Sequence, residues 1–154
     1  MTIYLGADHA GFKLKDEVKS FLRGLGYVVE DQGAFNLDPA DDYPDFVRLV
    51  ARRVAGEPES RGIFFGGSGE GEAIVANRLP GIRAVVYYGG PTEIINLSRV
   101  HNNANILSIG ARLVGGVEIK ELIREWLVTD FPAEARHVRR LNKIDTADTS
   151  LPQF

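Results

Sequence analysis

Cysteine is absent from this chain of 154 residues. Disulfides, thiolate metal sites and cysteine nucleophiles are therefore excluded. Long apolar runs are missing too. None approaches the ~20 residues needed to span a bilayer, so no membrane partner is expected. A strand pattern begins at Thr2, no signal peptide is visible, and a cytoplasmic location is the expectation. Charge of one sign is also lacking. The net charge is −3, which gives no electrostatic footprint for nucleic acid. The 3 histidines lie in different segments. No H-x-x-x-H or H-E-x-x-H spacing occurs, so no metal site is expected.

What is present is ordinary in amount: 44% hydrophobic and 25% charged residues, as in globular proteins. The length predicts one domain over residues 1–145, followed by a polar, frayed tail over 146–154. Apolar runs at Thr2–Ala7, Tyr27–Gln32, Ile63–Phe65, Arg83–Tyr87 and Ile106–Ile109 predict five strands. Between them, apolar residues recur with helical spacing: Leu14, Val18, Phe21 and Leu22; Phe46, Val47, Val50, Ala51 and Val54; Ile94, Ile95 and Leu97; Ile119, Leu122, Ile123 and Trp126. A basic helix is predicted from about Glu134 to Ile144. Strands alternating with helices predict an α/β protein, a three-layer α/β/α sandwich with a five-stranded parallel Rossmann-like sheet. Functional groups then belong at the carboxyl ends of the strands.

One of those ends is unusual. Ile63-Phe64-Phe65 opens into Gly66-Gly67-Ser68-Gly69-Glu70-Gly71-Glu72, which reads as strand, tight loop and helix. It is not a P-loop, because no Lys-Ser/Thr pair follows. It is not the dinucleotide G-x-G-x-x-G either. Counted from Gly67 the third glycine place holds Glu72, and counted from Gly69 it holds Ile74. Loop amides and a helix start make an anion site. A carboxylate beside that site would repel a phosphate. It suits a small polar carbon skeleton that loses a proton, with the amides holding the oxyanion that forms.

Each candidate group has a structural alternative. Asp8 follows the first strand and would serve equally as a helix cap; His9 beside it has no obvious packing role. Glu72 falls in a first helical turn, where the dipole lowers its pKa while burial raises it. Glu70, in mid-loop, reads as solvated. His101 closes a helix that runs back from strand four, so it belongs at the amino end of strand five, away from the glycine loop. It is either a helix-end histidine or a contributor to a neighbouring subunit's site, which would require a two-fold oligomer. Arg136 and Arg140 share a helix face. They form a solvated face or, with Arg112, clamp a phosphate.

Taken together these segments resemble the ribose-5-phosphate isomerase B family and the related galactose-6-phosphate isomerase subunits. The resemblance runs from Ile3 to about Ile144. It rests on Gly6-Ala7-Asp8-His9-Ala10-Gly11, Asp42-Tyr43-Pro44, Gly66 to Gly71, Ala76 to Ala84, His101-Asn102-Asn103, Gly110-Ala111-Arg112 and Arg136-His137. It implies a cofactor-free isomerase that interconverts ribose 5-phosphate and ribulose 5-phosphate through an enediol. Many members carry a cysteine base where this chain has Gly66. A second branch uses a glutamate just past the loop, which transfers the base role to Glu72.

The resemblance also implies the remaining roles. Ser68 would bond the sugar hydroxyls, and amides around Gly67, Gly69, Glu70 and Gly71 would hold the enediolate. His101 would open the furanose ring with Asp8 beside it, Asn102 would contact the intermediate and Tyr43 would line the sugar. Arg112, Arg136 and Arg140, with His9, would bind phosphate. The implied assembly is a homodimer with shared active sites, or a tetramer. Tyr87–Glu93 matches no family motif and could alter which sugar fits. Two other readings stay open: an isomerase of a hexose 6-phosphate (allose or galactose) or a rare sugar, and a non-catalytic sugar-phosphate or nucleotide sensor.

Overall fold

The computed structural model describes residues 1–144. The tail expected at 146–154 lies outside the described residues. Eleven elements follow one another: β1 (Thr2–Ala7), α1 (Phe12–Gly24), β2 (Val28–Asp31), α2 (Tyr43–Gly56), β3 (Arg61–Gly66), α3 (Glu70–Ala76), β4 (Ala84–Tyr87), α4 (Glu93–Asn102), β5 (Ile106–Gly110), α5 (Gly116–Val128) and α6 (Ala135–Ile144). All strand pairs are parallel. Their order is β2-β1-β3-β5-β4.

Strand periodicity divides the core between two faces. Ile3, Leu5, Ile63, Phe65, Leu107 and Ile109 point to one side. There they pack with Val18 and Leu22 of α1, Ile95 of α4, and Ile119, Ile123 and Trp126 of α5. Tyr4, Phe64 and Ile106 point to the other, against Val47, Val50, Ala51 and Val54 of α2 and Ala76 of α3. The layers are therefore α/β/α, as the alternation of strands and helices predicts. Pro44 sits in the first turn of α2, where its missing N–H has no helical partner to lose.

The chain visits β4 before β5, yet β5 lies inside, between β3 and β4. Ile106 pairs with Gly62 and Gly110 with Gly66. This exchange brings the segment after β5 directly beside the glycine loop after β3. It also leaves β4 as an edge strand, with Ala84, Val85 and Val86 only partly covered.

Candidate functional site

Three strand ends converge. After β3 the chain turns through Gly67 and Ser68, and Gly69 caps α3 in the left-handed region at φ 84°. Only a residue without Cβ takes that conformation at little cost. The turn is tied to β5 from three directions. Ala111 and Arg112 donate their N–H groups to the carbonyls of Gly66 and Gly67, at 2.8 and 3.2 Å. Ser108 Oγ donates to Gly69 O at 2.7 Å. Ser68 is exposed, and its Oγ accepts the Glu70 N–H at 3.3 Å. Glu70 is thus the first residue of α3 rather than part of mid-loop, although it is exposed as expected.

Glu72 folds back beneath this turn and is 4% exposed. Its carboxyl group fills the space that a side chain on residue 66 would occupy. A Cβ built on Gly66 would overlap Oε1 and lie 2.9 Å from Cγ. Gly66 is therefore required as long as Glu72 keeps this position. Burial pushes the Glu72 carboxyl above the ordinary range, and the charges of Asp8 and Glu70 push the same way; N–H groups of Glu72 itself and of Gly67 pull against them without cancelling. The contest between helix start and burial that the sequence leaves open goes to burial.

Asp8 is buried and accepts the N–H groups of Ala10 and Gly11 at 2.9 and 3.2 Å, so it ties the turn before α1; the helix itself has Gly11 at its N-cap and no side-chain cap. His9 leaves the same turn. Its Nδ1 lies 2.6 Å from Asp41 Oδ1, and its Nε2 lies 3.5 Å from an Arg112 guanidinium nitrogen. That guanidinium passes over Gly67. Tyr43, at the start of α2, brings its hydroxyl against Gly71, where an added Cβ would approach within 2.6 Å. Asp8, His9, Tyr43, the 66–72 segment and Arg112 therefore share one end of the sheet.

The other candidates do not join them within one copy of the chain. His101 and Asn102 end α4, and Asn103 turns left-handed at φ 46°. The chain then enters β5 at Ile106, opposite Gly62. Four strand residues at ~3.3 Å each put about 13 Å of sheet between that point and Gly66. His101 stacks on the buried His137 of α6, with ring centroids 4.5 Å apart. Burial, Arg136 and His101 hold the His137 pKa below the usual imidazole value. Arg136 and Arg140 are exposed on α6, and Arg136 pairs with Glu134 at 2.9 Å.

Known proteins share this fold. The ribose/galactose isomerase family matches residues 3–144. The chain belongs to that family. Ribose-5-phosphate isomerase B of Mycolicibacterium paratuberculosis is 40% identical over 92% of this chain and 88% of its own. The solved ribose-5-phosphate isomerase B of Clostridium thermocellum is 42% identical, with a TM-score of 0.87 over 94% of this chain and 95% of that one. The enzyme of Mycoplasma genitalium, solved with ribulose-5-phosphate bound, has a TM-score of 0.88 and 33% identity over 94% of this chain and 93% of that one.

Asp41 is a site residue that the sequence pattern does not reveal. It lies in a polar loop without periodicity, and nothing in its spacing links it to His9, 32 residues earlier. The only local hint is its place just before the Asp42-Tyr43-Pro44 segment. Ser108 was equally invisible, as a polar residue inside an apolar strand. No helix among the described residues is long and apolar enough to cross a membrane.

Proposed function

We propose that this family member interconverts ribose 5-phosphate and ribulose 5-phosphate through an enediol, with Glu72 as the base. One observation carries the reading: a buried carboxyl with a raised pKa occupies the side-chain space of Gly66. A base tuned upward toward neutral pH suits proton abstraction next to a carbonyl. In the open-chain aldose, Glu72 takes the proton from C2 while the C1 carbonyl oxygen gains one. The same carboxyl then returns its proton to C1 as the C2 hydroxyl gives up its own. The main chain of Gly67, Gly69, Glu70 and Gly71 would hold the charge that develops on oxygen, with Ser68 bonding the hydroxyls and Tyr43 lining the sugar. Arg112 and His9 would receive the phosphate.

Ring opening needs His101 with Asp8, and Asn102 would then meet the intermediate. His101 and Asn102 would come from a second copy of the chain, together with Arg136 and Arg140. Support for a two-fold pair lies at the sheet edge. Val85 and Val86 of the edge strand are joined there by Ile74 of α3 and Ile94 of α4, which are 59% and 55% exposed. His101 and Asn102 border the same face. An open strand edge with apolar neighbours calls for a cover.

The test is isomerisation of ribose 5-phosphate in deuterated water, followed by proton NMR. Deuterium should enter C1 of the ketose and C2 of the aldose. Binding without deuterium entry would instead identify a sensor. Faster turnover of allose 6-phosphate or galactose 6-phosphate than of the pentose would reassign the substrate.

A further inference from the structure

We propose that Asp41 is the positioning residue of the phosphate seat: it holds the His9 imidazole as a fixed donor aimed, beside Arg112, at the incoming phosphate. This rests on the function proposed above and adds a residue to it.

Asp41 holds His9 twice. One carboxylate oxygen, Oδ1, accepts the His9 main-chain N–H at 3.1 Å and faces Nδ1 at 2.6 Å. A carboxylate that short of an imidazole nitrogen assigns the proton to Nδ1 and fixes the ring plane. The Asp41 side chain is only 7% exposed, whereas His9 remains 30% exposed. The carboxylate is thus hidden behind the imidazole, and the imidazole is the part that ligands reach. Asp41 Oδ2 is buried without a hydrogen-bond partner, so both polar contacts of this carboxylate go through Oδ1 to His9.

The far side of the ring completes the seat. His9 Nε2 lies 3.5 Å from Arg112. With the ring protonated on both nitrogens, Nε2 and the Arg112 guanidinium are both donors at this point. An oxyanion placed against both would satisfy them, and phosphate oxygens are the acceptors such a pair selects. Asp41 would then touch no substrate atom and act only through His9. Partners of this kind that orient a ligating histidine are worth roughly 10–100-fold in affinity where they hold metal-binding imidazoles.

Titration with inorganic phosphate, followed by calorimetry on the full chain, reads this seat without turnover. Asp41→Asn keeps the shape and removes the charge. It should weaken phosphate binding by about tenfold and raise the KM for ribose 5-phosphate similarly, with kcat much less affected. In a His9→Gln background, Asp41→Asn should cost nothing further, because its effect runs through the imidazole. The Nδ1 proton resonance of His9 should shift upfield in Asp41→Asn. Unchanged phosphate affinity, or an equal loss with and without His9, would overturn the inference. A protein that binds phosphate in this Asp41-dependent way but does not isomerise would overturn the proposed function and leave the seat standing.

Discussion

Glu72 shows how one side chain meets two opposed demands. Buried under the glycine turn, it keeps a pKa above the ordinary carboxyl value of 4.5. Between that value and the folded pKa, the native chain holds a proton that the unfolded chain has released. Stability contributed by this group is therefore complete below the unfolded pKa and is lost as pH rises through the folded one. Glu72→Gln should lower kcat by roughly 10²–10⁴-fold with little change in KM. It should also raise Tm at neutral pH, by about 2–4 °C for each kcal/mol gained, with no gain near pH 4. Assays and thermal melts across pH 4–8 check both. Activity of the unmodified protein should fall as pH drops through the folded Glu72 pKa, because the base is then protonated. The sequence places this carboxyl in a first helical turn beside the loop. Which influence wins on its pKa was not legible, because the answer lies in the empty space at Gly66, and an absent side chain leaves no periodic signal.

Among the elements, α1 was legible from its apolar stripe, but its most consequential contact was not. Lys15 is 1% exposed, and its Nζ reaches Asp31 Oδ1 at 2.7 Å and Ala34 O at 2.5 Å. A charged residue between apolar positions reads as a solvated one. Here it pins the helix to the end of β2 and to the start of the loop that delivers Asp41 and Tyr43. Burial alone would raise the Asp31 pKa; hydrogen bonds from Lys15, Lys19 and the Gly33 N–H outweigh it and hold it below the ordinary range. This contribution is present above the unfolded pKa of Asp31 and lost as pH falls through the folded one. Lys15→Met should cost up to about 3–5 kcal/mol, and less to the extent that Lys19 retains its 2.7 Å bond to Asp31 Oδ2. Urea unfolding at pH 7 and pH 3 checks this, with the smaller loss expected in acid. Strand order was likewise hidden. Five apolar runs predict a parallel sheet, but they carry no mark of which neighbour each strand takes, and the inward placement of β5 rests on tertiary packing.

For the whole molecule, the decisive quantity is the separation between two groups of candidate site residues on one chain. Glu72 and Arg112 stand at the carboxyl ends of the strands, while His101 and Asn102 stand where β5 begins. The direction of α4 makes this split legible in the sequence, since a helix that leaves one sheet edge must return to the other. In the two-fold pairing proposed above, the two groups would meet across copies of the chain. Such an arrangement makes a quantitative prediction. Under that pairing, His101→Ala and Glu72→Gln should each inactivate both sites of their own dimer. Unfolded together in equal amounts and refolded, half of the dimers should be mixed. Each mixed dimer carries one site with both substitutions and one with neither. About a quarter of the unsubstituted activity should then return. A chain whose sites are complete within one copy would give no recovery at any mixing ratio, and the two groups would have to work apart. Refolding, titration of the mixing ratio and a turnover assay decide between these outcomes, because recovery must peak at equal amounts and vanish at either extreme.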